Sequence, residues 1–392
     1  MTSIHQLLMP GKVLYGRGAF TQVGEQASLL GVKAFIISDP IMAKIGNVDL
    51  CIEHLNRYSF PYATYLNVDA EPTDVHVQEA LEICRQEQCD VIIALGGGSC
   101  IDTAKAVAVF MTNEGHLSKY VGGKNRFRTK PIPLIAVPTT GGTGSEVTKV
   151  TVIIDTANDV KMMISDPALL PAIAIVDPLL SVSCPPAVTA ATGIDALCHA
   201  VEAYLSRRSQ PVTDLYALSA IELIMNHLHQ AFIQGDDVEA REKLALGAML
   251  AGAAFSNASV TLIHGMSRPV GALFHVPHGL SNAMLLPAVL DYTKSSAEER
   301  LAHIAQTMRL DTTGTAIPER ADMTIDAIKK LCRSLRIPNI NQWGIERDKW
   351  ANAVHKMAFD ALDSGSPANN PKIPTHEEIV QLYNAAYDYR FC

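Results

Sequence analysis

The stretch VIIALGGGSCIDTAK, residues 91–105, decides the fold. Val91 to Leu95 is apolar without a break, the pattern of a parallel-sheet strand covered on both faces. The glycines at 96–98 let the chain turn tightly, and a helical pattern starts at once. Ser99 is placed to cap that helix, and Asp102, three residues on, is a capping-box-like partner and a further candidate for the ligand-binding turn. Such a helix turns free N–H groups and the positive end of its dipole outward, where a pyrophosphate can bind. Gly97, Gly98 and Ser99 are the candidates for that contact, although a glycine turn also occurs without any ligand.

Working outward, apolar β-rich runs at 33–38, 62–67, 90–95, 132–137 and 172–177 alternate with helical patterns, the mark of an α/β domain with a parallel sheet. A second polar turn, PTTGGTGSE at 138–146, follows the fourth run, and its Thr139, Thr140, Thr143 and Ser145 can line a phosphate or nicotinamide-ribose pocket. Turns at the carboxyl ends of parallel strands are where an open α/β sheet places its ligand. Asp39, in FIISDP at 35–40, can accept hydrogen bonds from a ribose diol, and its charge would oppose the 2′-phosphate of NADP. It precedes the glycines instead of following them by about twenty residues, so this is not the standard dinucleotide fingerprint. An Asp before Pro is equally a turn former.

Past residue 177 the character changes. The proline pair at 185 and 186 is the boundary drawn here, giving domains 1–184 and 185–392. Helical patterns run over 186–205, 212–234, 238–257, 297–308, 318–335, 347–360 and 375–389, with loops expected at Gly235, Pro287 and 364–374. AATGIDALCHAVEAY, residues 190–204, sets Asp195 and His199 four apart, one helical turn from each other on the same side. HGMSRPVGALFHVPHG, residues 264–279, adds His264 and His278, each followed by a glycine that lets backbone come close to a crowded site. One carboxylate with three imidazoles suits Fe(II), Zn or another late first-row divalent ion, and does not suit Ca or Mg. The plainer alternative is a core histidine satisfied by an Asp one turn away, and spacing alone leaves open whether the two stretches meet.

The 392 residues exceed one usual core, and 48% hydrophobic content, 18% charge and a net charge of −8 describe a globular chain of ordinary acidity. No basic patch points to nucleic acid, and neither a leader pattern nor a run of about eighteen apolar residues points to a membrane, so a cytoplasmic protein is expected. The eight cysteines are scattered without a C-x-x-C pair, which argues against a zinc ribbon or a disulfide framework.

Five motifs together carry a resemblance: GGGSxxDxAK (96–105), PTTxGTGSE (138–146), KxxxSDPxLxPxxAxxDP (161–178), GxDAxxHAxE (193–202) and HGM…PHG (264–279). In them the chain resembles the iron-containing, group III alcohol dehydrogenases over nearly its whole length. The resemblance implies a dehydroquinate synthase-like fold. An α/β N-terminal dinucleotide-binding domain with a Rossmann-like parallel sheet is followed by an all-α C-terminal domain, with the active site in the cleft between them. It implies that Asp195, His199, His264 and His278 are the metal ligands and that Gly97, Gly98 and Ser99 form the pyrophosphate loop. Thr139, Thr140, Thr143, Ser145 and Lys161 would lie around the nicotinamide end and its ribose, with Asp39 at the acidic position linked to NAD preference. The implied cofactors are NAD and Fe(II), with Zn as the other candidate metal. The implied reaction is dehydrogenation of a small alcohol or reduction of an aldehyde, by a homodimer or larger homo-oligomer without nucleic-acid or membrane partners.

This sequence departs from the family pattern at Arg268, where many members have a histidine four residues after the third ligand. An arginine cannot act as a general base, which makes His275 the candidate stand-in. The same guanidinium suits a short anionic aldehyde, such as a semialdehyde acid or a sulfoaldehyde. A second departure is Glu71, where an asparagine is common. Competing functions are a zinc-dependent polyol dehydrogenase, a dehydroquinate synthase-like lyase that uses NAD transiently, and a non-catalytic paralogue. Net NADH formation with an alcohol, together with metal analysis, separates them.

Overall fold

A computed structural model describes residues 4–158 and 160–391. They form two compact units, one within residues 8–183 and one of residues 184–391 with residues 4–7. The first holds strands β1 Lys12–Tyr15, β2 Ala34–Ile37, β3 Tyr62–Tyr65, β4 Val91–Gly96, β5 Leu134–Pro138, β6 Val150–Asp155, β7 Val160–Ser165 and β8 Ile173–Val176. Its helices are α1 Val23–Ser28, α2 Pro40–Lys44, α3 Asn47–Asn56, α4 Asp74–Gln86 and α5 Gly98–Phe110.

Six strands pair in parallel in the order β1-β8-β5-β4-β2-β3, and β6 and β7 form a separate antiparallel pair. Every residue of β2, β4, β5 and β8 is buried, which explains their unbroken apolar runs. Phe35, Ile37, Ile92 and Ala94 share one core with residues of α4 and α5, while Ala34, Ile36, Val91 and Ile93 share another with residues of α1 and α3. The strand β1, absent from the sequence-based expectation, is a half-exposed edge carrying Lys12, so it lacks the apolar signature. The pair β6 and β7 alternates buried with less buried positions, a weaker pattern than a continuous run.

In chain order the strands β3-β2-β4-β5-β8 follow the doubly wound arrangement 2-1-3-4-5, with β1 added beyond β8. The winding reverses between β2 and β4, and ligands of open α/β sheets bind beside that reversal. Asp39 leaves the end of β2 and the glycine turn leaves the end of β4. An acidic residue that precedes the glycines is therefore what this strand order produces.

The capping expected at Ser99 is corrected by the structure. The helix α5 begins at Gly98, Gly97 is its N-cap, and no side chain caps it. Asp102 turns away from the helix start, accepting from Ser145 Oγ at 2.7 Å and the Val152 amide at 2.8 Å. Gly97 sits in extended backbone and has no side chain to offer, so no side-chain oxygen takes up the first N–H groups of α5.

The second unit is helical: α6 Pro186–Leu205, α7 Pro211–Ile233, α8 Val238–Ala258, α9 Leu262–Phe274, α10 His278–Thr293, α11 Glu298–Thr307, α12 Ile317–Ser334, α13 Ile340–Trp343, α14 Arg347–Asp363 and α15 His376–Tyr387. Pro186 opens α6 at a position that needs no N–H donor. The loop expected at Pro287 is corrected: Pro287 lies inside α10. A proline there loses one helical hydrogen bond, and the burial of Leu285, Leu286, Val289 and Leu290 around it offsets that loss. Thr375 caps α15 with Glu378 as its partner, as expected. Among the described residues every cysteine is free, and no single helix is long and apolar enough to cross a membrane.

The helices α6 and α10 approach each other at Gly279, where an added Cβ would lie 2.6 Å from the Ala191 carbonyl oxygen and 3.2 Å from Asp195 Cβ. The nearest atoms are backbone of α6, which has no flexible end to move aside. Gly279→Ala should destabilise the metal-free protein by about 1–3 kcal/mol, read as a lower urea midpoint for loss of helical signal. An unchanged midpoint would show that α10 can back away from α6 without cost.

Candidate metal centre and cofactor turns

Three helices deliver the candidate ligands. Asp195 and His199 stand one turn apart on α6, His264 lies in the first turn of α9, and His278 is the first residue of α10. One ligand atom from each lies within 4.8 Å of the others. Asp195, His199 and His264 are buried, and His278 is partly so. Asp195 Oδ1 is 3.5 Å from His264 Nε2 and 3.8 Å from His278 Nε2, and Oδ2 is 3.9 Å from His199 Nδ1. The His199 ring stacks on Phe255 and on His264, at centroid distances of 4.2 and 4.3 Å.

The electrostatics follow from burial and from this crowding. Burial alone would raise the Asp195 carboxyl, but the imidazoles of His199, His278 and His264 hold it well below the ordinary carboxylate range. Burial pulls His199 down to about 4 against the opposing pull of Asp195. Burial also lowers His264, but Glu202 and Asp195 outweigh it and hold the imidazole up at about 9. His199 Nδ1 is buried without a hydrogen-bond partner. An orphaned nitrogen beside a buried carboxylate and two more imidazoles is what a divalent cation would satisfy, and the donor set fits Fe(II) or Zn.

Sequence reasoning missed the residue that orients this cluster. Glu202, buried on α6, accepts at Oε1 from the amides of Thr261 (3.1 Å), Ile263 (2.7 Å) and His264 (3.3 Å) and from Thr261 Oγ1 (2.9 Å). Its Oε2 faces His264 Nδ1 in a short hydrogen bond. The carboxylate thus caps the start of α9 and holds the His264 proton on Nδ1, leaving Nε2 toward Asp195. Burial would raise Glu202, and the His264 charge with these hydrogen bonds brings it below its ordinary value instead. The available signal was an acidic residue inside an otherwise apolar stretch of helix.

Arg268 lies one turn after His264, and its Nη1 donates to Ser366 Oγ at 3.1 Å. Burial lowers the guanidinium to about 10, opposed by the charge of Glu202. His275 ends α9 in left-handed backbone, with φ of 53°, and is exposed outside the four-residue cluster. A second group, His355, His376 and Glu377, lies on the surface. Both ring nitrogens of His376 are engaged there, by Glu377 and by the His355 carbonyl. The group also sits at the positive end of α15, which disfavours a cation.

In the α/β unit the two glycine turns touch. A Cβ on Gly98 would lie 2.8 Å from Thr143 Cγ2, and the Thr139 amide donates to the Gly96 carbonyl at 3.0 Å. Thr140 and Thr143 are half-buried and Thr139 is buried. Ser145 is engaged internally, donating to Asp102 and accepting from the fully buried Lys105 at 2.9 Å. Lys105 Nζ also donates to Thr148 Oγ1 and the Val150 carbonyl. Burial lowers its ammonium to about 8 against the charges of Asp102 and Glu146. Asp39 Oδ1 caps α2 through the amides of Ile41 and Met42, while Oδ2 has Cys100 Sγ at 3.5 Å. Lys161 Nζ pairs with Glu71 Oε2 at 2.6 Å, which gives the unexpected Glu71 a partner.

Comparison with known proteins bears on both units. Residues 10–178 match the sequence pattern of the family described as iron-containing alcohol dehydrogenase, and residues 189–387 that of the Fe-containing alcohol dehydrogenase family, C-terminal. The chain is 38% identical over 384 residues to the 1,3-propanediol dehydrogenase of Citrobacter freundii, covering 97% of this chain and 98% of that one. It is 34% identical over 380 residues to the NAD-dependent methanol dehydrogenase of Bacillus methanolicus, covering 96% and 98%. Among solved structures, a 1,3-propanediol oxidoreductase superposes with a TM-score of 0.94 at 38% identity, covering 98% of this chain and 100% of that one.

Glu202→Gln keeps the shape but places an amide N–H against His264 Nδ1, which would move the imidazole proton to Nε2. We expect metal affinity to fall about 10–100-fold, the usual effect of losing such an orienting partner, measured by chelator competition. Affinity equal to that of the native protein would contradict the orienting role.

Proposed function

Because the chain belongs to the iron-containing alcohol dehydrogenase family, we propose that residues 1–184 bind NAD and that residues 185–392 hold the metal at which a small alcohol or aldehyde reacts. NAD-dependent alcohol dehydrogenase activity is common ground for the family, which uses NAD and iron. The observation that carries the assignment of the metal is the convergence of Asp195, His199, His264 and His278 from three helices around a buried, orphaned imidazole nitrogen. Bound there, a divalent ion supplies Lewis acidity that polarises a carbonyl oxygen or lowers the pKa of an alcohol.

The remaining work falls to the chain's own groups. Glu202 holds a proton on His264 Nδ1 and keeps Nε2 free for ligation. The uncapped amides at the start of α5, next to Gly97, Gly98 and Ser99, receive the pyrophosphate. Thr140 and Thr143 line the neighbouring turn, while Ser145, Asp102 and Lys105 brace it from behind. Asp39 Oδ2, with Cys100 Sγ at 3.5 Å, is the oxygen proposed for a ribose diol while Oδ1 caps α2, and Lys161, paired with Glu71, is proposed for the nicotinamide ribose. Arg268, donating to Ser366 near Glu202, is a fixed cation of the scaffold in this reading. The substrate is a small alcohol or aldehyde, neutral or anionic. We place the enzyme in the cytoplasm as a homodimer or larger homo-oligomer, as is usual in the family; light scattering of the purified protein reads its size.

The test is a panel of small alcohols and aldehydes, run in both directions with NAD and NADP on protein reconstituted anaerobically with Fe(II) or Zn(II). Chelation should abolish NADH formation and the metal should restore it; turnover that survives metal removal would contradict the reading. Asp39→Gly should raise the NADP-to-NAD ratio of kcat/KM by about tenfold or more, the scale of one removed repulsion between partly exposed charges. An unchanged ratio would remove Asp39 from the ribose.

A further inference from the structure

The helix α10 brings a second side chain to the metal cluster. Asn282, one turn beyond His278, is fully buried. Its Nδ2 donates to Asp195 Oδ1 at 2.6 Å and lies 3.0 Å from His264 Nε2 and 3.3 Å from His278 Nε2. Atoms from three of the four candidate ligands therefore surround one amide nitrogen. The amide cannot be turned over, because its carbonyl would then face the Asp195 carboxylate with no proton between them. In the orientation that Asp195 imposes, Asn282 Oδ1 is buried without a hydrogen-bond partner. A residue that only filled this volume could be leucine, which would leave no buried carbonyl unsatisfied.

We propose that Asn282 is a positioning residue for the metal, holding Asp195 Oδ1 and gathering the Nε2 atoms of His264 and His278 before the ion arrives. A carboxylate oxygen and two imidazole nitrogens crowd one point, and the Asn282 amide nitrogen lies against all three. Its N–H donated to Asp195 Oδ1 fixes that oxygen in place. Asn282 on α10 thus works on Asp195 as Glu202 on α6 works on His264. Each orients a ligand that belongs to another helix.

This inference rests on the metal reading above, and the test separates the two. Asn282→Leu, close in size but without donors, and Asn282→Ala are stripped of metal and titrated with Zn(II) against a chelator. NAD affinity and the unfolding midpoint are measured alongside. Both variants should lose about 10–100-fold in Zn(II) affinity, with NAD affinity unchanged and the Asn282→Leu midpoint at or above that of the native protein. Native-like affinity in Asn282→Leu, whatever Asn282→Ala does, would make Asn282 a space filler and overturn the inference alone. Failure of the native protein to bind Zn(II) would overturn the metal reading and this inference with it.

Discussion

The buried carboxylate of Glu202 is the contact on which the helical unit's chemistry depends. A lone ionised carboxylate in an apolar core is prohibitively costly, and Glu202 is tolerable there only because α9 starts against it and His264 lies across it. That exchange fixes three things together: where α9 begins, which His264 nitrogen carries the proton, and which nitrogen is left for Asp195. The four-residue cluster is thus positioned by a neighbour that is not one of its ligands. Asn282 supports the same arrangement from α10.

A parallel logic holds in the α/β unit. Lys105 is buried among Ser145, Thr148 and the Val150 carbonyl, with Asp102 opposing the cost of burying its charge. This network joins the helix that follows the first glycine turn to the loop that forms the second, so the two turns are held at contact distance where Gly98 meets Thr143. Side chains read from sequence as pocket lining divide accordingly into two sets. Thr140 and Thr143 remain half-buried, whereas Thr139 is buried and Ser145 faces inward to Asp102.

How much was legible in the sequence depended on the range of the interaction. The runs that became β2, β4, β5 and β8 were readable because a strand buried on both faces must be apolar throughout. The pairing of Asp195 with His199 was readable because it is local to one helical turn. The roles of Glu202 and Asn282 were not, since each exists only across helices whose approach is a tertiary fact. The half-exposed edge strand β1 carried too little hydrophobic signal. Pro287 misled, because local chemistry breaks a helix at proline while core burial here keeps it. Asp39 was ambiguous for a physical reason. One of its oxygens is the turn former that Asp-Pro suggests, and the other faces Cys100 Sγ at the start of α5.

The central claim is that one divalent ion sits among the side chains of Asp195, His199, His264 and His278. Anomalous diffraction from crystals of the Fe(II)- or Zn(II)-reconstituted protein, collected on both sides of the metal's absorption edge, tests it most directly. The account predicts a single strong peak in the helical unit at about 2.0–2.2 Å from one atom of each of these four residues. A peak at any other set of side chains, or none in fully reconstituted protein, would contradict it.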